Sequence, residues 1–212
     1  EMRFGDKDHP VRLDVDGSGG DRIVLHGCID RIDVGDTKQG RAAVVFDYKR
    51  TGKSFSWQRF YYGLDLQLGI YLLALMQAAP EGVDAAAGAF FVPIEVNPKA
   101  TSLDDLSDND APPLRKAAGV FDGRFAFELD AEPGRWGSAF YNFWLKQGEP
   151  YGRFATSGAV HPDEFRRLLD FARRKIIAIS EEILAGRIEI KPYRLQRHSP
   201  CGFCDYRTVC KF

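Results

Sequence analysis

Long apolar runs are missing from this 212-residue chain. The longest, Leu68 to Met76, falls well short of the roughly 20 residues that a membrane-spanning helix needs, and it reads as part of an amphipathic helix. A charge surplus is missing too. With 29 Lys and Arg against 30 Asp and Glu, the net charge is −1. This excludes a strongly basic nucleic-acid binder, so any such affinity must come from local patches or partner domains. The start, Glu1-Met2-Arg3-Phe4, has neither the basic residues nor the apolar core of a signal peptide, and the chain reads as cut from something larger. Thr51-Gly52-Lys53-Ser54 has the end of a phosphate-binding loop, but the glycine required upstream is absent, which excludes a nucleotide site there. Cysteine is scarce: of four, three crowd into the tail and only Cys28 lies elsewhere. What is present is ordinary for a soluble globular domain, with 44% hydrophobic and 28% charged residues. The length suits one domain over 1–212, with 187–212 as a cysteine-containing C-terminal tail.

The chemistry concentrates between Gly27 and Tyr71. Ile23 to Asp33 and Ala42 to Lys49 read as neighbouring strands, joined through a short polar loop from Gly35 to Gly40 as an antiparallel hairpin. Side chains alternate along a strand, so Asp47 and Lys49 share one face while Phe46 and Tyr48 share the other. Asp30 shares its face with Cys28 and Ile32, and Asp33 points the opposite way. The hairpin can bring Asp30 beside Asp47. Two adjacent carboxylates repel unless a cation or proton separates them. Their oxygens are hard ligands suited to Mg²⁺ or Mn²⁺, and such a metal activates water and polarises a phosphoryl oxygen. Lys49 is placed to hold the attacking water or to neutralise developing charge. The set suits phosphodiester hydrolysis, although Asp-x-Lys alone is weak evidence and commonly a surface ion pair.

The patterns Gly27-x-x-Asp30-Arg31-Ile32-Asp33, Asp47-Tyr48-Lys49 and Gln67-x-x-x-Tyr71, in this order and spacing, resemble the RecB-type branch of the PD-(D/E)XK nuclease superfamily, and within it AddB-type nuclease domains. The resemblance implies an α/β fold with a restriction-endonuclease-like core, a central mixed β-sheet flanked by helices. It implies that Asp30, Asp47 and the main-chain carbonyl of Tyr48 bind the metal. Lys49 is then the motif lysine, and Gln67 and Tyr71, spaced i, i+4 on one helix face, are the accessory motif. It further implies hydrolysis of single-stranded DNA inside a bacterial, cytoplasmic helicase–nuclease of double-strand break repair, with an AddA-like helicase partner. Arg50 and Lys53 are candidate contacts to DNA phosphates, with a solvated loop as the plainer reading. The family carries one more metal ligand on a helix upstream. That helix has no counterpart here, and His9 is not taken as its replacement.

Along the rest of the chain, Phe60 to Ala79 has helical period, with Leu64, Leu68, Tyr71, Leu72 and Leu75 as a stripe. Ala85 to Val96 reads as a buried strand in which Pro93 predicts an edge or a bulge. Residues 97–119 read as an insertion whose acidic cluster, Asp104, Asp105, Asp108 and Asp110, lacks the glycine and glutamate of a calcium loop. Gly119 to Leu129 is a candidate strand. Gly134 to Lys146 is a candidate helix with Trp136, Phe140, Phe143 and Trp144 read as core rather than as a base-stacking platform. The best helix opens at His161-Pro162-Asp163-Glu164 and ends at Gly186, with an apolar face running from Phe165 to Ile183 and Leu184.

In the tail, Cys201-x-x-Cys204 followed by Cys210 argues for a metal centre, whether Zn²⁺ with His198 or an iron–sulfur cluster. The spacing resembles that of AddB-type nucleases, which implies a [4Fe-4S] cluster whose fourth cysteine lies upstream of residue 1, so the cluster is expected to be incomplete or absent in this chain. Cys28 is read as a small buried residue. Basic residues including Arg187, Lys191, Arg194, Arg197, Arg207 and Lys211, interleaved with Tyr193, Phe203 and Tyr206, are a candidate single-strand path. Two other classes stay open: a nuclease-like DNA-binding or structural subunit without catalysis, and a Zn or Fe–S interaction module on an unrelated core.

Overall fold

The structure is a computed structural model and describes residues 1–8, 10–14, 22–78, 80, 82–95, 116–152, 157–196 and 198–210. His9, the acidic cluster at 104–110, Arg197 and Lys211 lie outside the described residues. The chain divides into two compact units, Glu1–Ala178 and Ile179–Phe212.

The first unit is built around β6 (Gly40–Lys49), whose residues 42–47 are all buried. A strand covered on both faces reads as a continuous apolar run rather than an alternating one, and Ala-Ala-Val-Val-Phe is such a run. On one side β6 pairs antiparallel with β5 (Arg31–Thr37). On the other it pairs parallel with β7 (Ala85–Pro93). Parallel neighbours need a crossover, and α1 (Trp57–Tyr61) and α2 (Gln67–Gln77) supply it. Antiparallel β8 (Ala118–Asp122) and parallel β9 (Ala159–Val160) complete a mixed sheet in the order β5-β6-β7-β8-β9. Two small ribbons stand apart from it. One joins β1 (Met2–Phe4) to β4 (Gly27–Ile29), and the other joins β2 (Arg12–Asp14) to β3 (Arg22–Val24).

The alternation on β6 separates two cores. Ala43 and Val45 join Phe91 and Val120 beneath Leu68, Leu72 and Leu75 of α2 and Leu168, Ala172 and Ile176 of α4 (Pro162–Leu184). Ala42, Val44 and Phe46 face the other way, into a cluster with Phe90, Phe121, Phe125 and Phe143. The expected restriction-endonuclease-like α/β core is present: a mixed sheet flanked by helices.

Several local expectations need correction. The strand expected over Ile23–Asp33 is three pieces, broken after Val24 and again at Asp30. The expected Gly35–Gly40 loop is mostly strand. Gly35 keeps both backbone groups, so the ladder runs through it to Thr37↔Gly40 and leaves only Lys38 and Gln39 to turn. The single helix expected from Phe60 is split into α1 and α2, because Gly63 adopts φ +74°, outside helical space. Pro93 marks neither an edge nor a bulge. It ends an interior strand beyond the last β8 pair, Phe91↔Ala118, so its missing N–H is not needed there. The register shift lies at Ala43/Val44 instead.

The candidate strand from Gly119 stops at Asp122. The Asp122 carboxylate accepts the Arg124 N–H and starts a 3-10 turn leading to α3 (Ala126–Leu129). No helix forms over 134–146. Gly137 sits at φ +135° with its Cα so close to the chain that a Cβ would lie 2.2 Å from the Phe143 carbonyl. Of the four aromatics read as core, Phe143 alone is buried, while Trp136, Phe140 and Trp144 are exposed. Helix α4 begins as expected, with the Glu164 carboxylate accepting the His161 N–H. Its apolar face is buried only as far as Ile176. Ile179, Ile183 and Leu184 are exposed, since periodicity states which face is apolar and not how far a covering surface extends.

The second unit, Ile179–Phe212, holds the end of that helix, a 3-10 turn at Pro200–Phe203 capped by the Ser199 hydroxyl, and α5 (Arg207–Cys210). Among the described residues no helix is long and apolar enough to cross a membrane.

Candidate active site

Strand β6 carries Asp47 and Lys49 on its α2 face. Asp47 is the last residue of the buried run, only 3% exposed. Its Oδ1 accepts two hydrogen bonds, from Gln67 Nε2 at 2.8 Å and from the Tyr71 hydroxyl at 3.3 Å. Gln67 opens α2 and Tyr71 lies about one turn further on, so both reach the same oxygen, and Gln67 also donates to the Tyr71 oxygen at 2.9 Å. The second oxygen differs. Oδ2 is buried and has no hydrogen-bond donor. The Lys49 ammonium stands 2.5 Å from it as an ion pair, without hydrogen-bond alignment. Charge is therefore compensated while hydrogen-bonding capacity is not. A buried carboxylate oxygen whose one close partner is a lysine ammonium keeps capacity for a further ligand.

Asp30 reaches the site through the break between β4 and β5. The last β5–β6 pair is Arg31↔Phe46, and the next backbone exchange would join Tyr48 to Ile29. Instead, the Asp30 carboxylate takes the Tyr48 N–H at 2.8 Å. Within a strand residue the N–H and C=O point to the same neighbour. The Tyr48 carbonyl therefore faces the Asp30 side, while Lys49 offers its carbonyl to Ile94 on the β7 side. The Asp30 carboxylate and the Tyr48 carbonyl thus lie on the β5 side of the end of β6, one residue beyond Asp47. Asp33 stays away, as expected, in an exposed bidentate pair with Arg31 at 2.6 Å.

The Tyr71 phenol is pushed above its ordinary pKa. Burial is the main cause, and the negative charges of Asp47 and Asp30 add to it, while the Gln67 hydrogen bond works against it. The phenol accordingly stays protonated and remains a donor to Asp47.

Arg50 and Lys53 separate. Arg50 is largely exposed and pairs with Glu95 at 2.9 Å. Lys53 turns inward, with Nζ at 2.9 and 3.1 Å from the two Asp65 oxygens and 4.2 Å from the centre of the Phe91 ring. The Lys49 ammonium lies 5.5 Å from the same ring centre. Sequence reasoning missed Asp65 and Phe91. Asp65 stands two residues before the Gln67 motif, and Phe91 pairs with Asp47 in the β6–β7 register, which strand order alone would have indicated.

In the second unit, Cys201, Cys204 and Cys210 line one cavity of about 320 Å³ together with Glu189, Lys191 and Arg207. All are free thiols, as is Cys28, which is half-buried in β4. Among the described residues no group of three or more His, Cys, Asp or Glu side chains is placed to hold a metal ion. Of the expected basic path, Lys191 pairs with Glu189 and Arg187 with Glu182, and Phe203 and Tyr206 are exposed.

Residues 1–211 match the PD-(D/E)XK nuclease superfamily, and the chain belongs to it. The whole chain is 34% identical to the B subunit of the ATP-dependent helicase/deoxyribonuclease of Symbiobacterium thermophilum, of which it covers 18%. It is 29% identical to the protein of the same name from Clostridium tetani and 32% identical to that from Moorella thermoacetica, again over its whole length and 19% of theirs. The chain thus spans about a fifth of the length of the curated relatives it matches.

Proposed function

We propose that the chain is the nuclease domain of a helicase–nuclease subunit and hydrolyses phosphodiester bonds of single-stranded DNA with Mg²⁺ or Mn²⁺. The observation that carries this reading is the buried Asp47 carboxylate, locked through one oxygen by Gln67 and Tyr71 and facing the Lys49 ammonium with the other. The donor set fits a hard divalent cation. Such ions take one or two carboxylates and fill their remaining positions with water and substrate phosphate oxygens. Asp30, Asp47 and the Tyr48 carbonyl would hold it, and when bound it supplies Lewis acidity and a more acidic water.

The protein's own part is positioning. Gln67 and Tyr71 fix the rotation of the Asp47 carboxylate, which turns Oδ2 toward the Lys49 ammonium. Asp30 is held by the Tyr48 N–H. Lys49 supplies a fixed positive charge at the point where negative charge develops on the phosphoryl group. The relatives' name, helicase/deoxyribonuclease, supports delivery of the strand by an AddA-like helicase. A role in double-strand break repair in the bacterial cytoplasm extends that reading. A [4Fe-4S] cluster in the full-length protein, held by Cys201, Cys204 and Cys210 with a fourth ligand from outside this chain, extends the reading. No step of the reaction is assigned to it.

The test is Mn²⁺-dependent cleavage of end-labelled single-stranded DNA by this chain and by the longer protein, each beside Asp47→Ala. Cleavage that disappears in Asp47→Ala is the expected result. Intact DNA binding without cleavage in either form overturns the reading in favour of a non-catalytic nuclease-like subunit.

A further inference from the structure

We propose that Lys53 is a second phosphate-binding cation of this site and that Asp65 is the positioning residue that aims it. The inference rests on the nuclease reading and adds to it a residue that grips the strand beside the scissile bond.

The loop after β6 would ordinarily leave a lysine free in water. Lys53 is instead held on two sides, by both oxygens of a nearly buried carboxylate and by the face of Phe91. Phe91 is buried and opposes Asp47 across the β6–β7 register, so the ring is the floor next to the metal-binding carboxylate. Lys49 stands over the same ring, which places the two ammonium groups within about 10 Å of each other. Asp65 precedes the Gln67 motif by two residues, so one segment fixes the Asp47 carboxylate and the Lys53 ammonium together. The Lys53 side chain remains about one-third exposed while Asp65 is 12% exposed, so the cation keeps an open side and its partner does not. A long flexible lysine normally loses rotamer freedom when a phosphate captures it. Here that freedom is already lost in the folded chain, which lowers the cost of capture. Phosphate contacts of this kind fix the register of the strand and carry no sequence information. The expected consequence is binding strength without base preference.

The experiment is steady-state cleavage of a single-stranded oligonucleotide by the full-length protein with its helicase partner. Nucleotide is left out so that strand delivery does not set the rate. Lys53→Gln is expected to raise KM about tenfold with kcat within about twofold, and to flatten the log–log salt dependence of kcat/KM by about one unit. Lys53→Arg, which keeps the charge, should stay within about threefold of the parent KM. Asp65→Asn should raise KM less than Lys53→Gln, and adding it to Lys53→Gln should change nothing further. Unchanged KM and salt slope in Lys53→Gln with a lowered Tm would make the pair a mere brace and overturn the inference, leaving the nuclease reading intact. A fall in kcat at constant KM would also overturn it. A parent protein no more active than its Asp47→Ala variant would remove the nuclease reading and this inference with it.

Discussion

Two ends of the same sheet each bury an aspartate, and the two are finished differently. Asp122, at the end of β8, is 2% exposed and Asp47, near the end of β6, is 3% exposed. Arg124, two residues on, closes both oxygens of Asp122. Its backbone N–H and Nε reach Oδ1 at 3.0 and 3.1 Å, and its Nε and Nη2 reach Oδ2 at 3.0 and 2.6 Å. Lys49, also two residues on, reaches Asp47 at Oδ2 alone, as an ion pair at 2.5 Å. The hydrogen-bond donors to Oδ1 come from a helix, 20 and 24 residues away. Burial alone does not mark a functional carboxylate, because a local arginine can make a buried aspartate wholly structural. The mark is a carboxylate oriented through one oxygen by groups the fold brings from a distance, with only a lysine ammonium at the other.

That contrast breaks most visibly at Asp47. Asp47→Asn should lower cleavage by about a thousandfold or more while Tm, followed by calorimetry, moves little, since the amide oxygen still accepts from Gln67 and Tyr71. Asp122→Ala should do the reverse. It removes a cap and a charge-assisted pair worth about 2 kcal/mol, lowering Tm by roughly 4–8 °C, with kcat at a permissive temperature within about twofold. A large loss of cleavage without a change in Tm at Asp122 would end the comparison.

Tyr71→Phe sharpens the difference from within the site. It deletes one of two donors to Oδ1, and about a tenfold loss in kcat is expected. Its pH behaviour follows from the raised phenol. The neutral form is favoured in the fold, so its contribution to stability is full below the ordinary tyrosine value of 10.0 and is lost as pH rises through the higher folded value. Between pH 7 and 9.5 the parent and variant rate profiles should therefore have the same shape. A limb present only in the parent would contradict this. Smallest of all, Asp33→Asn should leave cleavage within about twofold, because Asp33 belongs to the outward Arg31 pair.

The site was legible because its geometry is set by short-range rules. Strand parity placed Asp47 and Lys49 together and Asp33 apart, and helical period placed Gln67 above Tyr71. What remained hidden depends on partners distant in sequence. The Lys53–Asp65 pair joins a loop to the start of a helix and shows no periodicity. Trp136, Phe140 and Trp144 have spacing suited to a buried helix face, yet Gly137 forces a turn that leaves them outside. The break at Asp30 was hidden for a similar reason: a carboxylate replaces a ladder carbonyl, which residue types alone do not announce.

The one-turn spacing between Gln67 and Tyr71 has a consequence for insertions and deletions. Each residue added or removed between them turns the phenol by about 100° around the α2 axis and away from Asp47. At the far end of the β5–β6 hairpin, Lys38 and Gln39 close a turn six pairs removed from Arg31↔Phe46, and length can change there without moving a site atom. Descendants of this sequence are therefore free to grow at one end of the hairpin, whereas the first turn of the helix that follows it tolerates no change in length.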